Sequence, residues 1–422
     1  MEINKHISGL QPSATLVINE KVKALRKQGK TISHFGFGQS PFPIHPSIVM
    51  ALQQNANNNK YLPVAGLDIL RAQIAQFLKN FQGIETEKEA VFIGPGSKEL
   101  LYQSILIFDA EFLIPKASWV SYLPQIQSKG AKYHIIDTQL QNNFKVTAAD
   151  IHLFFKDNKT QKSPVLILNS PNNPTGAIYS DEECKSLATV CKQYDITVFS
   201  DEIYSQIHFS ENFSPSMAAY YPEKTIVFGG LSKVFSAGGY RLGFMVLPHG
   251  YKELTNVYKS LFSETFSCVA SPVQYAAVKA YSYQKELQDY VRNTSEILQQ
   301  VANYMLAQFK SIGLDCTQPE GAFYMMIGFN SFKKGLHKLG LSTSSELANF
   351  LLENYQFAML PGSDFGFDKK DLFFRIAFVD FDGKKVLDAY LKETHIDAVF
   401  IEKYAKNISE GIKSVQKFVL RL

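Results

Sequence analysis

The sequence predicts an α/β protein whose central, mostly parallel sheet is covered by helices on both faces. Residues 165–168 form a short apolar run that ends in a turn-rich segment. A helix is expected next, because Ser180 is a suitable N-cap with Glu183 three residues later. Two further apolar runs, 196–199 and 225–228, end in polar residues. Strands that are apolar on both faces are typical of a parallel sheet between two layers of helices.

The two ends of the chain predict a second, smaller domain of the α+β type. Residues 1–45 contain a helical stretch and an irregular segment, and a long helical stretch lies near 286–310. Two apolar segments follow it, and helical sequence over 398–420 is expected to pack on them. We therefore expect a large α/β domain over residues 46–289 and a small domain from residues 1–45 and 290–422.

The composition excludes several classes of protein. Hydrophobic residues make up 45% of the 422 residues and charged residues 19%, as in a folded globular chain. The net charge of +4 gives no reason to expect nucleic acid as a partner. No apolar run reaches the ~20 residues of a membrane-spanning helix, and no signal peptide is visible, so a soluble cytoplasmic protein is expected. The cysteines show neither a C-x-x-C pair nor metal-ligand spacing, which predicts buried or half-buried thiols and no metal site.

Polar residues cluster where the predicted strands end, and open α/β sheets bind ligands at such ends. Lys233 follows the third apolar run and two glycines. A lysine is usually a solvated surface charge, but burial here would lower its pKa and leave a nucleophilic amine. Arg241 follows eight residues later, beyond Gly238 and Gly239. The two side chains could bind one anionic cofactor, with the amine on its carbonyl and the guanidinium on its phosphate.

Asp201 follows the second apolar run, and Tyr204 lies three residues later. A carboxylate at this position is costly to bury unless a cation or a donor pairs with it. Asp201 therefore either faces a ligand or caps the following segment. Asn173, in an Asn-Asn-Pro-Thr-Gly turn, is either a ligand contact or a turn former. The residues by themselves leave these alternatives open.

Several motifs together resemble a known family. Residues 170–176 (Ser-Pro-Asn-Asn-Pro-Thr-Gly), residues 200–204 (Ser-Asp-Glu-Ile-Tyr) and Lys233 followed by Arg241 are similar to motifs of the class I and II aminotransferases, the fold-type I pyridoxal-phosphate enzymes. The agreement covers nearly the full chain, as far as Arg375. The resemblance implies a ping-pong transfer of an amino group from an L-amino acid to a 2-oxo acid, with pyridoxal 5'-phosphate as cofactor.

The resemblance also implies a role for each matching residue. Lys233 would hold the cofactor as an internal aldimine and, once freed, move the proton between Cα and the cofactor carbon. Asp201 would pair with the pyridinium nitrogen and keep it protonated. Asn173 and Tyr204 would hydrogen-bond the phenolate oxygen of the ring. Trp119 matches the aromatic residue that stacks on the ring, although a core tryptophan is the alternative.

The phosphate of the cofactor would lie on Arg241 and on backbone N–H groups of Gly96, Ser97 and Lys98, at the start of a predicted helix. Tyr61 matches the tyrosine that reaches this phosphate from the neighbouring subunit. The resemblance therefore implies a homodimer with shared active sites.

Two positions depart from the family pattern. Gly230 stands where a phosphate-binding serine is common, so a hydroxyl contact is lost unless Ser232 supplies it. Residues 39–41 read Gln-Ser-Pro where many relatives have Glu-Pro-Asp. The second departure puts the chain in a side branch and weakens any inference about its substrate.

The resemblance gives one clue to the substrate. Some relatives with a lysine at the place of Lys98 use it on the distal carboxylate of aspartate or glutamate, whereas others with Gly-Ser-Lys act on different amino acids. Arg375 matches the arginine that binds the substrate α-carboxylate, and Phe323 would line the same pocket. We expect 2-oxoglutarate as the acceptor. The expected substrate contacts are Arg375, Gly38, Asn173, Trp119, Lys98 and Tyr324.

Three other functions are compatible with parts of this pattern. A lyase or decarboxylase of the same fold would use the same lysine, because all these reactions share the aldimine. A ligand-binding regulator would need a DNA-binding domain and a basic patch, and neither is visible. A catalytically inactive scaffold is disfavoured because Lys233, Asp201 and Arg375 are all retained.

Overall fold

The computed structural model describes residues 2–210, 214–250, 252–393 and 395–422. The helices are α1 (Ala14–Lys27), α2 (Pro46–Gln54), α3 (Asp68–Gln82), α4 (Ser97–Ile107), α5 (Tyr122–Lys129), α6 (Ala148–Asp157), α7 (Asp181–Gln193), α8 (Lys252–Ser263), α9 (Ser271–Tyr281), α10 (Lys285–Ser311), α11 (Lys333–Lys338), α12 (Ser344–Tyr355), α13 (Gly383–Glu393), α14 (Ala398–Tyr404) and α15 (Lys406–Val419). The strands are β1 (Ser33–His34), β2 (Val91–Gly94), β3 (Ala110–Pro115), β4 (Tyr133–Ile136), β5 (Ser163–Asn169), β6 (Thr197–Asp201), β7 (Thr225–Gly230), β8 (Gly243–Val246), β9 (Asp315–Cys316), β10 (Tyr324–Gly328), β11 (Phe357–Ala358), β12 (Leu360–Pro361) and β13 (Phe373–Ala377).

The central sheet has seven strands within the described residues, in the order β2-β8-β7-β6-β5-β3-β4. Strands β3 to β7 pair in parallel, and β8 runs antiparallel to both β2 and β7. The predicted α/β fold with a mostly parallel sheet is therefore confirmed. Because β5, β6 and β7 run in one direction, their last residues, Asn169, Asp201 and Gly230, lie at one edge of the sheet.

Both faces of the sheet are buried, as the apolar strands predict. Along β5, Val165 and Ile167 join the hydrophobic core on one face, whereas Leu166 and Leu168 join the core on the other. This alternation follows from the two-residue period of a strand. The strands are thus held between two helical layers, which leaves their carboxyl ends as the open edge.

Helix α7 covers one of these faces and begins as the sequence predicts. The Ser180 hydroxyl accepts a hydrogen bond from the Glu183 backbone N–H (3.2 Å), and the Glu183 carboxylate accepts one from the Ser180 N–H (2.8 Å). Leu187, Val190 and Cys191 are buried on its inner side. The reciprocal cap fixes where the helix starts after the turn at 169–176.

Residues from both chain ends meet beside a second sheet. Strands β12, β13, β10 and β9 form it in that order, with antiparallel pairing. Strand β1 pairs in parallel with β11, so that Ser33 lies opposite Phe357. Helix α15 packs against α10, α12 and this strand pair. Helix α10 runs through position 290, and the division of the chain into two domains there stays a prediction.

No helix in the described ranges has the length and apolar character that a membrane crossing requires. The predicted cytoplasmic location stays a prediction. The described His, Cys, Asp and Glu side chains form no cluster that could hold a metal ion. The cysteines are free thiols, buried at Cys184 and Cys191 and half-buried at Cys268 and Cys316.

Candidate active site

A cavity of about 510 Å³ opens at the edge of the central sheet where β5 and β6 end. Three residues that the sequence predicts at the site, Gly96, Tyr61 and Phe323, lie outside its lining: Phe323 is fully buried, and Tyr61 is 90% exposed. Side chains from distant parts of the chain come together in this cavity. Those that the sequence analysis named are Gly38, Ser97, Lys98, Trp119, Asn173, Asp201, Tyr204, Ser232, Lys233, Arg241, Tyr324 and Arg375.

Lys233 lies in the turn that follows β7. Its Nζ donates a hydrogen bond to the Gly38 carbonyl oxygen (2.9 Å) and lies 5.7 Å from the centre of the Tyr204 ring. Burial, reinforced by the positive charges of Arg375 and Arg241, lowers the pKa of Lys233 to about 8. Part of the amine is therefore neutral near pH 7, the state in which a lysine acts as a nucleophile or a base.

Asp201 is the last residue of β6 and is 5% exposed. The Tyr122 hydroxyl donates to one of its carboxylate oxygens (2.7 Å), and the Ile203 backbone N–H donates to the other (3.4 Å). Burial raises the pKa of Asp201 to about 6, although both donors and Lys233 oppose the shift. A carboxylate held in this way favours a cationic ligand group beside it.

Two phenols and a glycine form one side of the cavity. The two phenol oxygens, of Tyr204 and Tyr324, lie 2.9 Å apart in a hydrogen bond, and the Tyr324 hydroxyl is also within donating distance of the Gly38 carbonyl oxygen (3.4 Å). A Cβ at Gly38 would lie 2.1 Å from the Tyr324 hydroxyl oxygen. Glycine at this position is therefore required for the phenol to reach the cavity.

Arg375 projects from β13 and is 1% exposed. Its Nη2 donates to the Gly36 carbonyl oxygen (2.6 Å), and its Nη1 donates to Asn173 Oδ1 (3.3 Å). Its Nε is buried and has no hydrogen-bond partner among the described residues, which also offer it no carboxylate within ion-pair distance. A buried guanidinium without an anion is suited to binding the carboxylate of a ligand.

Arg241 and the start of α4 form a second anion-binding corner. Helix α4 begins at Ser97, after Gly96 with a φ of +100°. A Cβ at Gly96 would lie 2.3 Å from Arg241 Nη2, so glycine allows the guanidinium to approach the helix N-terminus. Arg241 donates to the carbonyl oxygens of Gly238 (2.9 Å) and Pro95 (3.3 Å). Free N–H groups of a helix start beside an arginine are typical of a phosphate site.

Lys98 and Trp119 lie next to each other in the cavity wall. The Lys98 Nζ is 4.9 Å from the centre of the indole ring. Lys98 is exposed as a whole, but partial desolvation of its amine in the cavity lowers its pKa, and the charge of Arg241 lowers it further. Trp119 is half-buried and both packs on the core and lines the cavity. The charged residues in the lining are thus four cations, Lys98, Lys233, Arg241 and Arg375, and one carboxylate, Asp201.

The sequence profile of the aminotransferases of class I and II matches residues 30–386. This chain belongs to that family. It is 32% identical over 375 residues to the aspartate aminotransferase of Bacillus subtilis, covering 87% of this chain and 92% of the relative. It is 33% identical over 374 residues to the aspartate aminotransferase of Geobacillus stearothermophilus, with the same coverage.

Solved structures of two aminotransferases share the fold. The aspartate aminotransferase of Thermus thermophilus, solved with maleate, aligns with a TM-score of 0.85 at 23% identity over 99% of both chains. The enzyme of Rhizobium meliloti aligns with a TM-score of 0.84 at 23% identity over 100% of both. The predicted family, fold type and aminotransferase activity are confirmed, and the comparisons give no support to a lyase.

The structure explains why Gly230 departs from the family pattern. Gly230 ends β7 and lies opposite Gly243 in β8. A Cβ there would lie 2.9 Å from the Leu242 carbonyl oxygen and 3.0 Å from the Gly243 Cα. The close approach of two paired backbones therefore excludes a serine side chain, while Ser232 is the residue that lines the cavity.

Replacing Gly230 with serine is expected to destabilise this aminotransferase by about 1–3 kcal/mol, the usual cost of overpacking a core. The contacts are with backbone atoms of paired strands, which cannot shift independently. Urea unfolding measures the change, with Gly9→Ser as control because nothing lies within 4 Å of a Cβ at Gly9. A Gly230→Ser enzyme as stable as the wild type would contradict this account.

Several residues of the site could not be predicted from the sequence. Tyr122, the donor to Asp201, sits three residues after Trp119 at the start of α5, and only that spacing could have indicated it. Asn169, the last residue of β5, accepts from the Asn173 backbone N–H (2.7 Å) and donates to the Asp201 carbonyl oxygen (2.8 Å). Other cavity residues not named as contacts are Ser13, Thr15, Leu16, Phe37, Gln39, Ser121, Ile203, Gly238 and Gly239.

Proposed function

We propose that this aminotransferase binds pyridoxal phosphate at Lys233 and takes an acidic amino acid as its amino donor. The family uses this cofactor. The observation that carries the proposal is the imbalance of charge in the cavity, where four cations line the wall and Asp201 is the one carboxylate in it. A phosphate, an α-carboxylate and a distal carboxylate together supply the matching negative charge.

The residues present fit the cofactor at both of its polar ends. Arg241, the Ser97 N–H at the start of α4 and the Ser232 hydroxyl would hold the phosphate. Asp201 would pair with the ring nitrogen, since a buried carboxylate is stabilised by a cation. Trp119 would lie against the ring, with Asn173 and Tyr204 on its oxygen. When bound, the cofactor supplies a ring that withdraws electrons from the substrate Cα.

The side chains of this protein would then perform three tasks. Arg375 would bind the α-carboxylate with its two-pronged guanidinium, which Gly36 and Asn173 already orient. The Lys233 amine would carry the proton to and from Cα, a task suited to its lowered pKa of about 8. The Tyr204 hydroxyl would remain protonated, because burial raises its pKa well above that of a free phenol.

Lys98 carries the proposal on substrate class. Its Nζ lies over the Trp119 ring and has no carboxylate within ion-pair distance among the described residues. This ammonium faces the cavity without a counter-ion, and a distal carboxylate of the donor would neutralise it. Two relatives at 32% and 33% identity are named aspartate aminotransferases. We propose aspartate or glutamate as donor and 2-oxoglutarate as acceptor.

Replacing Lys98 with methionine is expected to lower kcat/KM for aspartate and glutamate by about one to two orders of magnitude, the usual effect of removing a charged hydrogen-bond partner. For alanine, which has no distal carboxylate, we expect a change of less than about threefold. Stopped-flow half-reactions with each donor, followed by the change in cofactor absorbance, measure both values.

Lys116→Met is the matched control for this experiment. Lys116 also lies near an aromatic ring, 5.6 Å from the centre of Phe367, but it is paired with Asp137 and lies outside the cavity lining. Its loss should leave donor preference unchanged. Equal losses for aspartate and alanine in Lys98→Met would refute the acidic donor without affecting the assignment of Lys233.

We further propose a homodimer in which Tyr61 completes the phosphate site of the partner. The exposure of Tyr61, 90%, and its place outside the cavity of its own chain support this assembly. We also propose that residues 46–289 form the cofactor-binding domain and that residues 1–45 and 290–422 form the smaller one. The carbonyls of Gly36 and Gly38 would then bring the smaller domain to the cofactor site.

A further inference from the structure

The loop over residues 36–43 supplies backbone acceptors to the site. Its Gly36 carbonyl oxygen accepts from Arg375 Nη2 (2.6 Å), and its Gly38 carbonyl oxygen accepts from Lys233 Nζ (2.9 Å). The position of this loop therefore sets where the guanidinium and the amine point. The same loop contains the Gln-Ser-Pro sequence that departs from the family pattern.

Three hydrogen-bonded hydroxyl groups, of Ser40, Ser236 and Tyr290, connect this loop to other parts of the chain. Tyr290 donates its hydroxyl proton to the Pro43 carbonyl oxygen (2.7 Å). The 2.9 Å contact between Ser236 and Tyr290 therefore has Ser236 as donor, and the 2.7 Å contact between Ser40 and Ser236 has Ser40 as donor. The direction of every bond is fixed, because one proton is available at each hydroxyl.

This hydroxyl relay, Ser40 to Ser236 to Tyr290, joins three parts of the chain. Ser40 and the acceptor Pro43 lie in the loop, and Tyr290 lies in α10. Ser236 lies in the turn after Lys233, where its N–H donates to the Lys233 carbonyl oxygen (3.2 Å) and its φ is +56°. A non-glycine residue in the left-handed region is held there by its surroundings.

We propose that the hydroxyl relay positions the loop over residues 36–43 and thereby sets the affinity of the enzyme for the carboxylates of its donor. None of the three hydroxyl-bearing residues belongs to the cavity lining in the described structure. They act through Gly36 on Arg375 and through the lysine turn on Lys233, and they are positioning residues. The proposal rests on the role of Arg375 in the proposed function.

The test is Ser40→Ala, with Ser40→Thr as the variant that retains the hydroxyl. Loss of the first donor is expected to raise KM for the amino donor about fivefold to tenfold, the effect of one or two neutral hydrogen bonds, with kcat within twofold. Ser40→Thr should restore most of the affinity. Tyr290→Phe should raise KM similarly, and the double variant should cost less than the sum of the two single changes.

A second measurement reports binding without turnover. Trp119 is the one tryptophan of the sequence and lines the cavity, so its fluorescence reports on ligands there. Succinate carries two carboxylates and no amino group. Its dissociation constant, titrated by fluorescence in the holoenzyme and in the cofactor-free protein, is expected to rise about fivefold to tenfold in Ser40→Ala.

Tyr258→Phe is the control for loss of a phenol hydroxyl that hydrogen-bonds to a serine. The buried Tyr258 hydroxyl donates to the Ser104 hydroxyl (2.8 Å), away from the loop and outside the cavity lining. The variant should lower thermal stability without changing the KM or the succinate affinity.

Wild-type protein that does not bind succinate would contradict the proposed function. Wild-type and Ser40→Ala proteins that bind succinate equally would overturn the relay and leave the proposed function intact.

Discussion

Replacing Lys233 with alanine is expected to lower transamination by about four orders of magnitude or more, because in the proposed function this side chain provides both the covalent anchor and the base. The amine is the one lysine in the cavity that contacts both Gly38 and the face of Tyr204 among the described residues. The purified variant should also lack the visible absorbance of a covalently held cofactor. Reduction of the wild type with borohydride, followed by mass spectrometry, should leave the pyridoxyl group on Lys233.

Lys145→Ala is the control for removal of an inaccessible lysine. Lys145 has a side-chain exposure of 13% and pairs with Glu183, outside the cavity lining. Its replacement should reduce stability and leave the absorbance unchanged. A Lys233→Ala enzyme that transaminates normally, or a pyridoxyl group on another lysine, would contradict the assignment of the site.

Replacing Asp201 with asparagine is expected to lower kcat by about three orders of magnitude, the range seen when preorganised charge is removed from an active site. The two side chains have nearly the same shape, so the contact with Tyr122 can remain while the negative charge is lost. Without that charge, the protonated ring nitrogen of the proposed cofactor would no longer be favoured. Single-turnover rates with a saturating donor measure the effect, since they separate chemistry from binding.

Glu202→Gln provides the comparison at the neighbouring position. Glu202 is 4% exposed, and burial raises its pKa to about 7. Its carboxylate accepts from Gln82 (2.7 Å), Ser200 (2.7 Å) and Ser216 (2.6 Å) and lies outside the cavity lining. The variant should lose stability and keep kcat within about threefold, because it breaks a buried network without touching the reacting atoms. Equal losses of kcat in both variants would show that Asp201 has no special electrostatic role.

Much of the fold could be predicted because the strands are short, apolar on both faces and followed by polar residues. The reciprocal cap of Ser180 and Glu183 is a local pattern, and it forms as predicted. The strand limits were less certain, since β6 includes Asp201 and β7 includes Gly230. Backbone pairing continues past the last apolar side chain of each strand. A hydrophobic pattern therefore does not indicate where the strand ends.

The contacts that orient the site residues could not be predicted in the same way. Tyr122 and Asp201 are 79 positions apart, Ser40 and Ser236 are 196 apart, and Gly36 and Arg375 are 339 apart. Within its own segment, each of these residues has neighbours that do not indicate its partner. The sequence carries no local signal for pairs that meet only after the sheet and the chain ends have packed.

The sequence alone therefore determined the family, the α/β class and the identity of most cavity residues, because motifs at strand ends are local patterns of residue type. The tertiary structure alone decided which groups orient Lys233, Asp201 and Arg375, why Gly230 cannot be a serine, and where Ser40 is held. The physical reason is that burial, close backbone approach and the direction of a hydrogen bond depend on atoms brought together by packing, not on neighbours along the chain.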